Sequence, residues 1–265
     1  MTTTIRVALA QVSSTDDPDK NLAIVDDHAT RAAAAGAAMV VFPEAMMRCF
    51  GGPLHDVAEP LDGPWAAAVR AIAERVGITV VAGMFTPADG GRVRNTLLVT
   101  GGGVDAHYDK IHLFDAFGFL ESGTVAPGSD PLVVDVGGVR VGFATCYDIR
   151  FPGLFQGLAD LGATVIVVAA SWGAGAGKVD QWTLLARARA LDSTSHVVAC
   201  DQAVPSDVLD SPAPRGVGHS LVVSPTGTVT DGLDEDPGML VVDLDTTEVA
   251  SVRSTLPVLR NRRTL

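Results

Sequence analysis

The stretch Val139–Ala170, VRVGFATCYDIRFPGLFQGLADLGATVIVVAA, decides the fold because it holds two strands and the helix between them. Val139, Val141 and Phe143 alternate with small or polar neighbours, as a strand requires, and Val165 to Ala170 is the unbroken apolar run of a strand covered on both faces. Phe151-Pro152 suits a helix start, since proline has no N–H to leave orphaned in the first turn. Leu154, Phe155, Leu158 and Leu161 then recur at helical spacing until Gly162 stops the helix. Cys146 falls where the first strand ends and the chain turns towards the helix, a place that can hold a sulfur clear of the sheet beside backbone N–H groups.

A free cysteine usually behaves as a small buried hydrophobe. Cys49 and Cys200 are read that way: Cys200 ends the apolar run His196-Val197-Val198-Ala199, and Cys49 follows a strand end with no partner at metal-ligand spacing. Cys146 differs because Tyr147-Asp148-Ile149-Arg150 follows it, and an aromatic with two opposite charges is costly to pack against apolar segments unless those groups are paired or used.

Working outward, strand candidates run from Ile5 to Leu244 without a low-complexity linker, which favours one domain for the 265 residues. A hydrophobic fraction of 47% beside 19% charged residues is ordinary for a globular α/β protein. The formal net charge of -12 argues against nucleic-acid or anionic-membrane partners, which need a basic surface. Three scattered cysteines make no disulfide framework, so a reducing compartment is expected. Met1-Thr2-Thr3-Thr4 leads directly into the strand-like Ile5-Arg6-Val7-Ala8-Leu9-Ala10, and no apolar run reaches the roughly 18 residues of a membrane helix. The expected location is the cytoplasm.

Ile5 to Val12 reads as a strand, Asp16-Asp17-Pro18 opens a helix that lasts to Gly36, and Ala38 to Phe42 is the next strand; a crossover this long predicts parallel pairing. Pro43-Glu44 then sets a carboxylate just past the carboxyl end of that strand, where ligands collect in open α/β sheets. Position alone balances this against a solvated loop acid. Pro64 to Val76 is an amphipathic helix, Ile78 to Gly83 a strand, and Val93 to Thr100 and Val104 to Tyr108 form a hairpin across three glycines. Lys110 closes the hairpin, either as an exposed strand-end lysine or, if buried, paired with a carboxylate. Glu121 lies in a Gly- and Pro-punctuated loop, Gly118 to Pro131, long enough to line a site. Beyond the Cys146 unit come a small-residue loop, Ser171 to Gly177, a helix from Lys178 to Asp192, and strands at His196–Asp201, His219–Ser224 and Met239–Asp243. The tail from Leu256, with Arg260, Arg262 and Arg263, is too polar for a core and is expected to reach across a neighbouring subunit.

Phe42-Pro43-Glu44, Tyr108-Asp109-Lys110-Ile111-His112-Leu113 and Cys146-Tyr147-Asp148-Ile149-Arg150-Phe151-Pro152 resemble, in order, the three signature blocks of the nitrilase superfamily of carbon–nitrogen hydrolases. Glu121-Ser122, Arg187-Ala188-Arg189-Ala190, Gly218-His219-Ser220 and Leu256-Pro257 through Arg263 extend the similarity over nearly the whole chain. The resemblance implies a four-layer α-β-β-α sandwich that dimerises, a catalytic set at Glu44, Lys110 and Cys146, and a second carboxylate at Glu121.

That set suits amide hydrolysis, because an amide carbon is a poor electrophile that needs a strong nucleophile, a proton carrier and a stabilised oxyanion. Glu44 can take the thiol proton and return it to the departing amine, while Lys110 and the backbone N–H of Tyr147 can hold the oxyanion. No metal or cofactor is expected: there is no CxxC, no paired histidine spacing and no phosphate-cradling glycine motif. The Cys146 block is more similar to the small-amide branch, including omega-amidase and deaminated-glutathione amidase, than to true nitrilases, where Trp-Glu tends to follow the cysteine. Two departures, Ser171 to Gly177 with Trp172 and Asp180-Gln181-Trp182, border the expected substrate pocket. Arg150 is either an ion-pair partner of Asp148 or, as the similar position in omega-amidase-like relatives implies, a bidentate grip on a substrate carboxylate. The expected ligand is a small amide, with an N-carbamoyl amino acid, another acyl-amine, or a non-catalytic binding role as alternatives.

Overall fold

The computed structural model describes residues 4–205 and 213–263; the lead-in through residues 1–3 lies outside them. In chain order the elements are β1 (Thr4–Gln11), α1 (Pro18–Ala34), β2 (Met39–Val41), α2 (Pro64–Val76), β3 (Thr79–Pro87), β4 (Val93–Gly101), β5 (Val104–Asp109), β6 (Asp115–Ala116), β7 (Phe119–Leu120), β8 (Val133–Val136) and β9 (Val139–Thr145). They continue with α3 (Pro152–Asp160), β10 (Val165–Ala170), α4 (Lys178–Ser193), β11 (His196–Asp201), β12 (Leu221–Val223), β13 (Val229–Gly232), β14 (Gly238–Asp245), α5 (Thr247–Thr255) and α6 (Val258–Asn261).

Two six-stranded sheets result, ordered β14-β1-β2-β3-β4-β5 and β13-β12-β11-β10-β9-β8. Each has three parallel strands at its centre, β1, β2 and β3 in one and β9, β10 and β11 in the other, flanked by antiparallel strands. Strand periodicity sorts the side chains. Val7, Leu9, Met39 and Val41 face Val141, Phe143, Val165 and Val167 of the other sheet, while Ala8, Val40 and Val80 turn outward to α1 and α2. On the far side Phe155, Leu158, Trp182 and Ala186 of α3 and α4 cover Ala144, Ile166 and Val168. The molecule is an α-β-β-α sandwich in a single domain, and its central strands are apolar on both faces for that reason.

Local chemistry fixes the boundaries. Asp17 caps α1, accepting from the N–H groups of Asp19 and Lys20, and Gly77 at φ 74 ends α2. Leu161 departs from its expected place: α3 ends at Asp160, so Leu161 falls past the buried stripe and is 48% exposed. The stretch read as a loop, Gly118 to Pro131, contains β7 and a 3-10 turn over Glu121–Gly123. The tail folds onto its own chain, with Arg262 Nη2 donating to both carboxylate oxygens of Asp160 at 2.6 and 2.7 Å. Among the described residues no helix is long and apolar enough to cross a membrane.

Candidate active site

The carboxyl ends of β2, β9 and β10 converge, and the chain ties them together there. The Glu44 N–H donates to Ala170 O at 3.3 Å, linking the two sheets at one end. Glu44 is 1% exposed, which removes the reading as a solvated loop acid. Its Oε1 accepts from Asn95 Nδ2 at 2.7 Å and Lys110 Nζ at 3.0 Å, and its Oε2 from the Ser171 N–H at 2.9 Å. Gln202 Nε2 holds the Glu44 carbonyl at 2.9 Å. The turn is compressed against β3: a Cβ on Gly83 would meet the Ala45 nitrogen at 2.6 Å, so only glycine lets the strand pass.

Lys110 follows β5 and lies buried between two acids, with Nζ 3.0 Å from Glu44 and 3.0 Å from Glu121. The Glu121 Oε2 also accepts the Phe114 N–H at 2.6 Å, which fixes the loop after Lys110. Burial alone would favour a neutral amine, but attraction to Glu44 and then Glu121 outweighs it and holds the ammonium charged well above the usual lysine range. A lysine buried this deeply is tolerable because it is paired on two sides.

Cys146 begins a 3-10 turn over Cys146–Arg150 and has φ 45, a left-handed backbone that lifts the side chain out of the strand direction. Asp148, fully buried, makes that turn possible: it accepts from the Thr145 N–H at 2.9 Å, Tyr108 OH at 2.7 Å, and both the N–H and Nδ1 of His112 at 2.9 and 2.7 Å. Cys146 Sγ lies 3.9 Å from Ser171 O. Burial, with repulsion and hydrogen bonding from Glu44, pushes the thiol pKa well up; Lys110 pulls it down but does not prevail. Burial and Glu44 thus favour the protonated thiol over the thiolate in the resting site, against the pull of Lys110.

The structure brings Glu44, Lys110, Glu121 and Cys146 together and places Tyr147, Arg150 and Trp172 beside them. Arg150 makes no fork on Asp148, whose oxygens are spent on Thr145, Tyr108 and His112. Instead its guanidinium lies 5.1 Å from the Trp172 ring and 6.0 Å from the Tyr147 ring, and one nitrogen donates to Gln181 at 2.9 Å. Trp172 is buried, held by its N–H on Asp201 at 2.8 Å and by Nε1 on Lys178 O at 3.0 Å.

Sequence reasoning missed Asn95, Asp201 and the Tyr108–Asp148–His112 cluster. Asp201 ends β11 and accepts the Trp172 and Val217 N–H groups, each at 2.8 Å; burial raises its pKa to about 7 despite those bonds. An acid closing the apolar run His196–Cys200 was the available signal. Among the described residues no three His, Cys, Asp or Glu side chains are grouped to hold a metal ion. Two open clefts, of about 590 and 330 Å³, lie elsewhere, one along Leu61, Arg70 and His107, the other along Pro18, Met47 and Trp65, and neither contains a member of this set.

The family model described as Carbon-nitrogen hydrolase matches residues 6–254. The chain is 57% identical over 267 residues to a Mycobacterium tuberculosis protein named Hydrolase Rv0480c, a match covering 97% of this chain and 95% of that protein. It is 33% identical over 266 residues to a deaminated glutathione amidase of Escherichia coli O157:H7, covering 97% of each. In structure it is similar to a mutant of the Nesterenkonia AN1 amidase from the nitrilase superfamily, with a TM-score of 0.82 and 27% identity over 98% of this chain and 94% of that one.

Proposed function

The chain belongs to the carbon–nitrogen hydrolase family, and from that premise we propose that it is a metal-independent amidase that hydrolyses a small, carboxylate-bearing amide through a thioester on Cys146. The observation that carries the proposal is the buried Lys110 held 3.0 Å from both Glu44 and Glu121 beside the Cys146 turn, where burial favours the neutral thiol. With the thiol neutral, the group holds two carboxylates and one ammonium. Losing the thiol proton to solvent would add a second net negative charge to a buried site, whereas passing it to Glu44 leaves the total unchanged.

Attack and deprotonation are therefore coupled. Cys146 Sγ bonds to the amide carbon as its proton moves to Glu44, and the negative charge that develops on the carbonyl oxygen is met by Lys110 and the Tyr147 N–H. The C–N bond then breaks and ammonia leaves with the proton from Glu44. Water gives a proton to Glu44 and adds to the thioester; the C–S bond breaks, the acid departs, and Cys146 regains its proton. Glu121, bonded to Lys110 and the Phe114 N–H, keeps the ammonium in position throughout.

Support for a carboxylate on the substrate comes from Arg150, which stacks on Trp172 and has one nitrogen engaged by Gln181, leaving a fork to present. A panel of small amides assayed for ammonia tests the reading. Arg150→Lys is expected to raise KM for a carboxylate-bearing amide more than for a neutral one of equal length, and equal effects would remove the grip. No ammonia from any amide would favour the acyl-amine, carbamoyl or binding alternatives.

The same reading carries a homodimer in a reducing cytoplasm. Leu184 and Leu191, seven residues apart on one face of α4, are 64% and 45% exposed, an apolar stripe that a second copy would cover. Light scattering giving a monomer at micromolar concentration would refute it.

A further inference from the structure

Six residues form a closed circuit of contacts beside the site, five links of it between side chains and one through the Lys178 carbonyl. Phe114 lies 6.2 Å from Phe117 and 5.1 Å from Tyr147, ring centre to ring centre. Arg150 bridges Tyr147 and Trp172, the Trp172 Nε1 donates to Lys178 O at 3.0 Å, and the Lys178 ammonium returns to Phe117, 4.6 Å above its ring centre. Three members sit one step outward from the groups that do the chemistry. The Phe114 N–H binds Glu121, Tyr147 follows Cys146, and Trp172 follows Ser171, whose N–H binds Glu44.

The links are unequal. Trp172 is buried and pinned by Asp201, and Arg150 is held by Gln181 as well as by two rings. Phe117 is 86% exposed, stands in the two-residue tip between β6 and β7, and has φ 55, unfavourable for a bulky residue. Its bond to Lys178 is a cation–π contact at an exposed site, the weaker class of that interaction. A carboxylate offers Lys178 a charge-assisted hydrogen bond, which is stronger than a ring face.

We propose that Phe117 and Lys178 are the opening segment of a collar over Cys146, and that an anionic substrate parts it by drawing Lys178 from the Phe117 ring to its own carboxylate. Lys178 is then a specificity-determining residue for amides whose acyl chain ends in a carboxylate, acting with Arg150 on the same acid end. This rests on the amidase reading above and adds the means by which charge, rather than size alone, governs entry.

Two substrates test it, a five-carbon amide with a terminal carboxylate and the neutral amide of equal length. In Lys178→Met the ratio of kcat/KM for the anionic over the neutral amide is expected to fall about tenfold, through KM, as loss of one hydrogen bond to a charged group implies. In Phe117→Ala the ratio is expected to fall from the other side, by a gain on the neutral amide. Equal changes on both substrates in Lys178→Met would overturn the proposal. A measurement independent of turnover separates this from failure of the amidase reading: the rate at which iodoacetamide alkylates Cys146, followed by mass spectrometry, with and without glutarate. Even if no amide is hydrolysed, glutarate slowing alkylation in the wild type and not in Lys178→Met supports the collar, and glutarate without effect on the wild type overturns it.

Discussion

The turn after β2 and the turn after β9 each place a non-glycine residue in the left-handed region, Ala45 at φ 58 and Cys146 at φ 45, yet they hold their functional side chains in opposite ways. Beside Ala45, the Glu44 carboxylate takes three hydrogen bonds of 2.7 to 3.0 Å from Asn95, Lys110 and Ser171, drawn from both halves of the chain. Beside Cys146 the rigidity is in the backbone, anchored by Asp148, while the sulfur lies a long 3.9 Å from Ser171 O and is otherwise met by Glu44, the group that is to take its proton. The contrast teaches a division of labour. The proton carrier must be aimed before the reaction begins, whereas the nucleophile must leave its resting contact to form a bond, so strain is spent on its main chain and not on its side chain.

Breaking each turn in turn sharpens the comparison. The largest effect is expected for Cys146→Ala, with turnover reduced by about 10⁴-fold or more and the thermal midpoint nearly kept, since only one partly buried atom is lost and the Asp148 anchors of the turn remain. Steady-state ammonia release with a melt on the same sample checks both halves. Glu44→Gln keeps the shape and removes the proton carrier, so turnover is expected to fall about 10²- to 10⁴-fold. Lys110 would retain Glu121, so the variant should still fold.

Gly83→Ala removes no reactive group and presses on the fixed turn alone, because its Cβ would sit 2.6 Å from the Ala45 nitrogen. Overpacking of this kind costs about 1–3 kcal/mol, and a displaced Glu44 is expected to lower kcat more than it raises KM. Normal kinetics in a stable Gly83→Ala protein would show that Glu44 does not need its aim.

The smallest effect on turnover, under about tenfold, is expected for Asp201→Asn, which keeps an acceptor for the Trp172 or Val217 N–H. Its signature is in pH. Burial first, then Glu44, raises the Asp201 pKa to about 7 against three backbone hydrogen bonds. A carboxyl raised on folding binds its proton more tightly in the folded state, so its stabilisation is present below the ordinary value of 3.8 and is lost as pH rises through about 7. Melts between pH 4 and 8 should show the wild type losing stability relative to Asp201→Asn up to about pH 7 and running parallel above it. A constant difference throughout would mean that Asp201 does not titrate there.

Periodicity made the central strands and α1 to α4 legible, because Val165–Ala170 is apolar without interruption and Pro64–Val76 carries a buried stripe between a proline and a glycine. Elements with no such contrast escaped. β13 is exposed at every residue, and α5 buries only Val249, so neither has a face for a pattern to mark. At the site, residues sharing a motif with the chemistry were readable, whereas Asn95 reaches Glu44 from 51 positions away through a sheet whose register no local spacing specifies. Arg150 was half legible. Its nearness to Asp148 in sequence suggested an ion pair, but Asp148 is turned inward by the Tyr108, His112 and Thr145 donors, which leaves the guanidinium on the aromatic side of the turn.

The central claim is that the substrate's acyl group passes through a covalent bond to Cys146. Acid-quenched reactions of a hydrolysed amide, digested and weighed by mass spectrometry, test it most directly. The account predicts an adduct equal to the acyl group on the peptide containing Cys146, accumulating further in Glu44→Gln if deacylation needs the same carboxylate. Turnover with no adduct on that peptide at any quench time, or an adduct on Cys49 or Cys200 instead, would contradict it.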